Sequence, residues 1–206
     1  YDGSSFSGWQ LQKNRTTVQG EIENALKIIA RSKHRIAVNG AGRTDSGVHA
    51  RKMVAHFDYS NNFEASQIVK KLNGYLPEDI SVFRIFQVDN DASSRFDALS
   101  RTYAYHIIRQ KDPFNNNAYL VHRDLDVIVM NQACKFLIGK QDFTSFSKLH
   151  TDTFTNNCNI MMACWEERKD GLVFTIKADR FLRNMVRAIV GTLLDVGFGK
   201  LPLEEM

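Results

Sequence analysis

Apolar positions recur along the chain at two periods, three to four residues in some segments and two in others. Val18, Ile22, Leu26 and Ile29, with Ala25 between them, repeat at helical spacing and predict a helix over residues 18–31. A short apolar run at 36–38 leads into the turn-rich GAGRTDSG of 40–47. Met53, Ala55 and Phe57 alternate with His56 and Asp58, the pattern of a half-buried strand. Residues 65–76 read as a helix ended by Pro77, and ISVFRIFQV at 80–88 alternates again, predicting a strand.

The second half mixes the same periods. SRTYAYHIIR at 100–109 places Tyr103, Tyr105 and Ile107 on one face of a strand and Ala104, His106 and Ile108 on the other. DPFNNNA at 112–118 is rich in turn formers and predicts a loop. A helix is expected over 126–138, its apolar side including Val127, Met130, Cys134 and Leu137, and strands near 158–168 and 172–179. Leu182, Met185, Val186, Ile189, Val190, Leu193 and Leu194 form the stripe of a last helix whose opposite side carries Arg180, Arg183 and Arg187. Helices alternating with strand pairs predict an α+β fold of two ferredoxin-like or RRM-like halves, 1–91 and 92–206, sharing an extended, mainly antiparallel sheet.

Composition narrows the class. With 206 residues, 43% hydrophobic and 24% charged, the chain matches a globular average and excludes disordered, collagen-like and coiled-coil readings. No apolar run reaches the ~18 residues of a membrane span. Three cysteines, Cys134, Cys158 and Cys164, lack metal-ligand spacing and predict reduced thiols in a cytoplasmic protein. The net charge of +4 is compatible with a polyanionic partner without naming one. The chain opens at Tyr1 and stops at Met206, beside what looks like a helix start, and reads as an internal piece of a longer one.

The densest chemical signal is GAGRTDSGVHA at 40–50. Its glycines strip bulk from a tight turn, so that a substrate can approach the backbone, and Arg43 offers Asp45 a positive neighbour that favours its ionised form. An exposed carboxylate on a rigid turn can act as nucleophile or base. From spacing alone, the plainer reading, Asp45 as a turn cap with Arg43 as its surface partner, is favoured, because Asp-bearing Gly turns are common.

GRTDSGVHA resembles the signature of the tRNA pseudouridine synthase A family, and other segments follow in that family's order: YDGSSFSGWQ at 1–10, SRFDALSRTYAYHI at 94–107, GKQDFTSF at 139–146 and FLRNMVRAIVG at 181–191. The resemblance spans nearly the whole chain. It departs at Ser46, where the bacterial form usually has Ala, one small residue for another. What it implies is isomerisation of uridine to pseudouridine at positions 38, 39 and 40 of the tRNA anticodon stem-loop, without metal or organic cofactor. Asp45 matches the catalytic nucleophile, attacking base or ribose. Tyr103 matches the active-site tyrosine of R-x-Y-x-Y, Arg187 the basic residue that pairs with the aspartate, and Arg43 the signature arginine that engages RNA. The partners implied are tRNA, rather than DNA or a membrane, and a second copy of the chain in a homodimer. The fold implied is that of a pseudouridine synthase with a central active-site cleft, near which Arg43, Arg101, Arg180, Arg183 and Arg187 would gather.

Residue by residue, plainer roles compete. Tyr103 also fits a strand core, and Arg183 with Arg187, at i and i+4 of a helix, also fits a solvated basic face. His49 suits a structural role in its turn. His34, His56, His106, His122 and His150 show no metal-ligand spacing. Trp9 and Gln10 are expected to hold the central sheet, and Phe143 and Phe146 to pack the core. Two rival functions are a non-catalytic RNA-binding module, which lacks the aromatic pattern of RRM readers, and a metal-free hydrolase, which lacks a second carboxylate or oxyanion feature near Asp45.

Overall fold

The computed structural model describes residues 1–59, 64–115, 117–148 and 154–206. The chain is α+β and divides into two compact units, Tyr1–Ala98 and Leu99–Met206. His150 lies outside the described residues.

In the first unit, α1 (Val18–Ile29) begins at Thr17, whose hydroxyl accepts from the Gly20 N–H at 3.2 Å, satisfying one of the donors a helix start leaves open. It ends two residues earlier than its periodicity predicts because Arg31 is left-handed, at φ 50°, a geometry no α-helix continues through. Val18, Ala25 and Leu26 are buried with Ile68 and Leu72 of α2 (Ala65–Tyr75). Leu76 is extended, as the residue before a proline prefers, and closes α2.

The strands of this unit are shorter than the alternation suggests. The 36–38 run is not a strand, and 53–57 contributes only its middle: β1 (Asn39–Gly40) and β2 (Ala55–His56) form a two-residue antiparallel ladder. The strand predicted at 80–88 is absent as well. Its apolar residues Ile80, Val82 and Ile85 do pack on the core, but the Asn73 carboxamide of α2 takes both backbone groups of Val82, accepting from its N–H at 2.7 Å and donating to its carbonyl at 2.8 Å. A side chain thus stands where a neighbouring strand would have paired.

One charged group is buried here. The Glu23 carboxylate of α1 accepts from Arg35 Nη2 at 2.8 Å, and from the Val38 N–H and Gln19 Nε2 at 2.9 Å each. Burial works against its charge, but these hydrogen bonds outweigh it and hold the carboxyl below its ordinary 4.5. Gln19 also donates to the Val38 carbonyl and accepts from the Leu11 N–H, so one face of α1 ties down two loops.

The second unit carries a five-stranded sheet in the order β4-β3-β7-β6-β5, built from β3 (Arg101–Ile108), β4 (Tyr119–Leu120), β5 (Gly139–Asp142), β6 (Asn157–Arg168) and β7 (Gly171–Ala178). All its pairs are antiparallel except β3 with β4. Because β7 lies between β3 and β6, the β3–α3–β6 crossover is split by a strand. The alternation of β7 is complete: Leu172, Phe174, Ile176 and Ala178 are buried, and their neighbours half-buried. Two helices add to this core: α3 (Val127–Phe136), capped by the Asp126 carboxylate accepting from the Val129 N–H at 3.0 Å, and α4 (Met185–Gly197). Phe143 and Phe146 pack on the same core, as expected.

The last helix departs from its reading. Leu182 is buried but precedes α4, since Asn184 is left-handed at φ 66° and the helix starts only at Met185. Arg180 and Arg183 therefore lie outside the helix, and the i, i+4 pairing of Arg183 with Arg187 does not form.

Candidate active site

The signature loop of the first unit has little secondary structure, so its shape must come from other contacts. They come from residues 1–9. The Trp9 N–H donates to the Thr44 carbonyl at 3.1 Å, and the Phe6 carbonyl accepts from the Gly47 N–H at 3.3 Å and from Ser46 Oγ at 3.2 Å. The Ala50 N–H donates to the Tyr1 carbonyl at 3.0 Å, while the Tyr1 and Thr44 hydroxyls lie 2.8 Å apart. These bonds require the two backbones nearly to touch, which only glycine permits. A Cβ on Gly3 would fall 2.1 Å from the Val48 carbonyl oxygen, and one on Gly8, at φ 92°, 2.4 Å from that of Thr44. YDGSSFSGW and GRTDSGVHA are thus two strips of one structure.

Asp45 sits on this fixed turn with its residue exposed, its own carbonyl accepting from the Val48 N–H at 3.2 Å. Arg43, two positions earlier, is exposed too. His49 serves the turn: its Nδ1 accepts from the Gly3 N–H at 3.1 Å. Trp9 does not hold a central sheet. It is buried in the core of this unit, its ring 6.0 Å from that of Tyr1, and its carbonyl accepts from the Gln19 N–H that opens α1.

In the second unit Tyr103 projects from β3 opposite Ile176 of β7, half-buried, with its ring edge-on to Phe181 at 5.1 Å. Tyr105, on the same face, meets the Tyr119 ring at 6.4 Å. Burial pushes the Tyr105 phenol up, Tyr119 adds to this, and the charge of Arg187 opposes it, which places Arg187 within electrostatic reach of the strand. Arg187 is exposed on the first turn of α4, and its Nη2 donates to Asn184 Oδ1 at 2.6 Å.

The link from β7 to α4 is pinned along its length. Asp179 accepts through its carboxylate from the Asn159 N–H at 2.8 Å and the Arg180 N–H at 2.7 Å, while Arg101 Nη1 donates to its carbonyl at 2.7 Å. Further on, the Lys148 N–H donates to the Arg183 carbonyl at 3.1 Å. Asp179 and Asn184 are the residues that sequence reasoning missed. For Asn184 a signal existed, because asparagine is a favoured residue just before a helix, and it would have placed the start of α4 correctly. Asp179 carried none, since apart from the adjacent Arg180 its partners, Asn159 and Arg101, lie on strands distant in sequence. Among the described residues, no group of three or more His, Cys, Asp or Glu is placed to hold a metal ion, and no helix is long and apolar enough to cross a membrane.

A mixed α+β scaffold with an exposed aspartate on a glycine-cradled turn is consistent with the pseudouridine synthase class. Comparison with known proteins is decisive. The profile of the family described as tRNA pseudouridine synthase matches residues 1–97 and 133–206. The chain is 53% identical over 206 residues to tRNA pseudouridine synthase A of Parabacteroides distasonis, covering 99% of this chain and 81% of that protein. It is 51% identical over 208 residues to the Bacteroides fragilis protein of the same name, covering 100% and 82%, and 42% over 209 residues to that of Bacillus subtilis, covering 100% and 85%. The chain belongs to the tRNA pseudouridine synthase family, and pseudouridine synthases are isomerases.

Proposed function

We propose that this protein converts uridine to pseudouridine at positions 38, 39 and 40 of the tRNA anticodon stem-loop, with Asp45 as nucleophile. The observation that carries the reading is that Asp45 is exposed on a turn whose backbone is held by residues 1–9. A nucleophile fixed before the substrate arrives saves the ordering that a mobile one would need at the moment of reaction. The target nucleotide must first leave its stack, at a cost of a few kcal/mol, and Arg43 beside the nucleophile engages the RNA that has opened. Asp45 then attacks the base or the ribose, the C1′–N1 bond breaks, the freed uracil turns, and C1′ bonds to C5 while the bond to Asp45 is released, with the C5 proton lost and N1 protonated. Tyr103 holds the base during rotation, a contact of roughly 1–3 kcal/mol for an aromatic ring on a base. Arg187 matches the basic residue that partners the nucleophile in this family, and we give it that role here.

The same reading extends to the assembly. The protein works in the cytoplasm without metal or organic cofactor, and it binds tRNA as a homodimer. The test is Asp45→Ala, assayed by tritium release from 5-tritiated uridine in tRNA and by carbodiimide mapping of the product. The variant should bind tRNA yet form no pseudouridine; residual turnover at the wild-type rate would remove Asp45 from the mechanism. Modification outside the anticodon stem-loop would keep the isomerase and change its target.

A further inference from the structure

The start of α4 is built in an unusual way. Asparagine at the residue before a helix ordinarily turns its side chain back to accept a backbone N–H of the first turn. Asn184 occupies that place but makes no such bond. Its backbone is left-handed, at φ 66°, a conformation that asparagine tolerates better than other side-chain-bearing residues. Its Oδ1 instead accepts from Arg187 Nη2 at 2.6 Å. Arg187 is the third residue of the helix, where the partial positive charge of the helix N-terminus disfavours a guanidinium, so an acceptor that restrains its direction has a real task. The backbone on the other side is fixed as well, by the buried Leu182 side chain and by the Lys148 N–H on the Arg183 carbonyl.

We propose that Asn184 is a positioning residue: its carboxamide, released from capping by the left-handed backbone, aims the Arg187 guanidinium. This deepens the functional reading and rests on the role given there to Arg187. A merely structural Asn184 would matter through its backbone alone, and the two cases separate by substitution. Asn184→Gly keeps the left-handed conformation, which glycine adopts freely, and deletes the acceptor. Asn184→Asp keeps both the conformational tolerance and an acceptor oxygen at the same place.

The experiment measures steady-state pseudouridine formation on tRNA for the full chain, with thermal denaturation of each variant. Asn184→Gly should lower kcat about tenfold, the size of one lost charge-assisted hydrogen bond, with KM changed less than about twofold. Its melting temperature should stay near that of the parent, and Asn184→Asp should recover most of the rate. In an Arg187→Ala background, Asn184→Gly should have no further effect, since the two act as a unit. Full kcat for Asn184→Gly beside a crippled Arg187→Ala overturns the positioning role and leaves the reading of Arg187 intact. So does a loss in Asn184→Gly that Asn184→Asp fails to restore. Full kcat for Arg187→Ala overturns the reading itself, and the inference with it.

Discussion

The two units hold their candidate residues by opposite means. In the second, Tyr103 and Tyr105 take their direction from an eight-residue strand whose register with β7 is continuous, over a core that includes Phe174, Ile176 and Met185. In the first, Asp45 lies on a loop flanked by two-residue strands, and its direction is set by a second loop, residues 1–9, laid along it backbone to backbone. A sheet tolerates exchange of one apolar side chain for another of similar volume. A backbone contact without room for a Cβ tolerates nothing at that point. Strict residue identity is therefore demanded most in the unit with the least regular structure, which explains why the densest chemical signal sits there.

Substitution can break this contrast. The largest effect should come from Gly8→Ala, which adds a left-handed strain and forces Thr44 away, costing about 3 kcal/mol. The urea midpoint should fall and tritium release should fall with it; an unchanged midpoint would mean that the loop does not depend on close approach. Next is Glu23→Gln, which weakens the acceptor of the Val38 N–H at the entry to the signature loop and should cost about 1–3 kcal/mol. Its pH dependence has a definite sign. The folded carboxyl is held below 4.5, so its contribution is complete above the ordinary glutamate value and is lost as pH falls through the lower folded one. The stability difference between parent and variant, followed by urea titration, should narrow on acidification through that window. The smallest effect belongs to the second unit. Gly191 is exposed within α4, and a Cβ added there would meet nothing within 4 Å, so Gly191→Ala should stabilise the fold by about 0.5–1 kcal/mol, read as a higher urea midpoint. A destabilised Gly191→Ala would show that this helix face also makes close contacts.

Legibility followed the same division. The helices α1, α2 and α3 and the strands β3, β6 and β7 were readable as elements, and for α1, α3 and β3 the inward face as well, because a buried stripe must repeat at the period of the element that carries it. The strand predicted at 80–88 failed because alternation records which side chains are buried and not what the backbone bonds to; at Val82 the partner is Asn73. The start of α4 was misread for a related reason. Leu182 is buried like a helical residue, yet the turn at Asn184 separates it from the helix. Asp45, Arg43, Tyr103 and Arg187 were all picked out from motifs, whereas Asn184 and Asp179 came to light only through their partners.

The amino-acid order was sufficient for family membership, for the α+β class and for the identity of the candidate nucleophile, because each is carried by local residue patterns. It was not sufficient for what restrains those residues. That Gly3 and Gly8 press against the backbone at 44 and 48, that Glu23 clamps Val38, and that Asn184 turns from its helix to Arg187 depend on the path of the chain. Hydrogen bonds between loops leave no period in the sequence, since they join backbone groups that every residue shares.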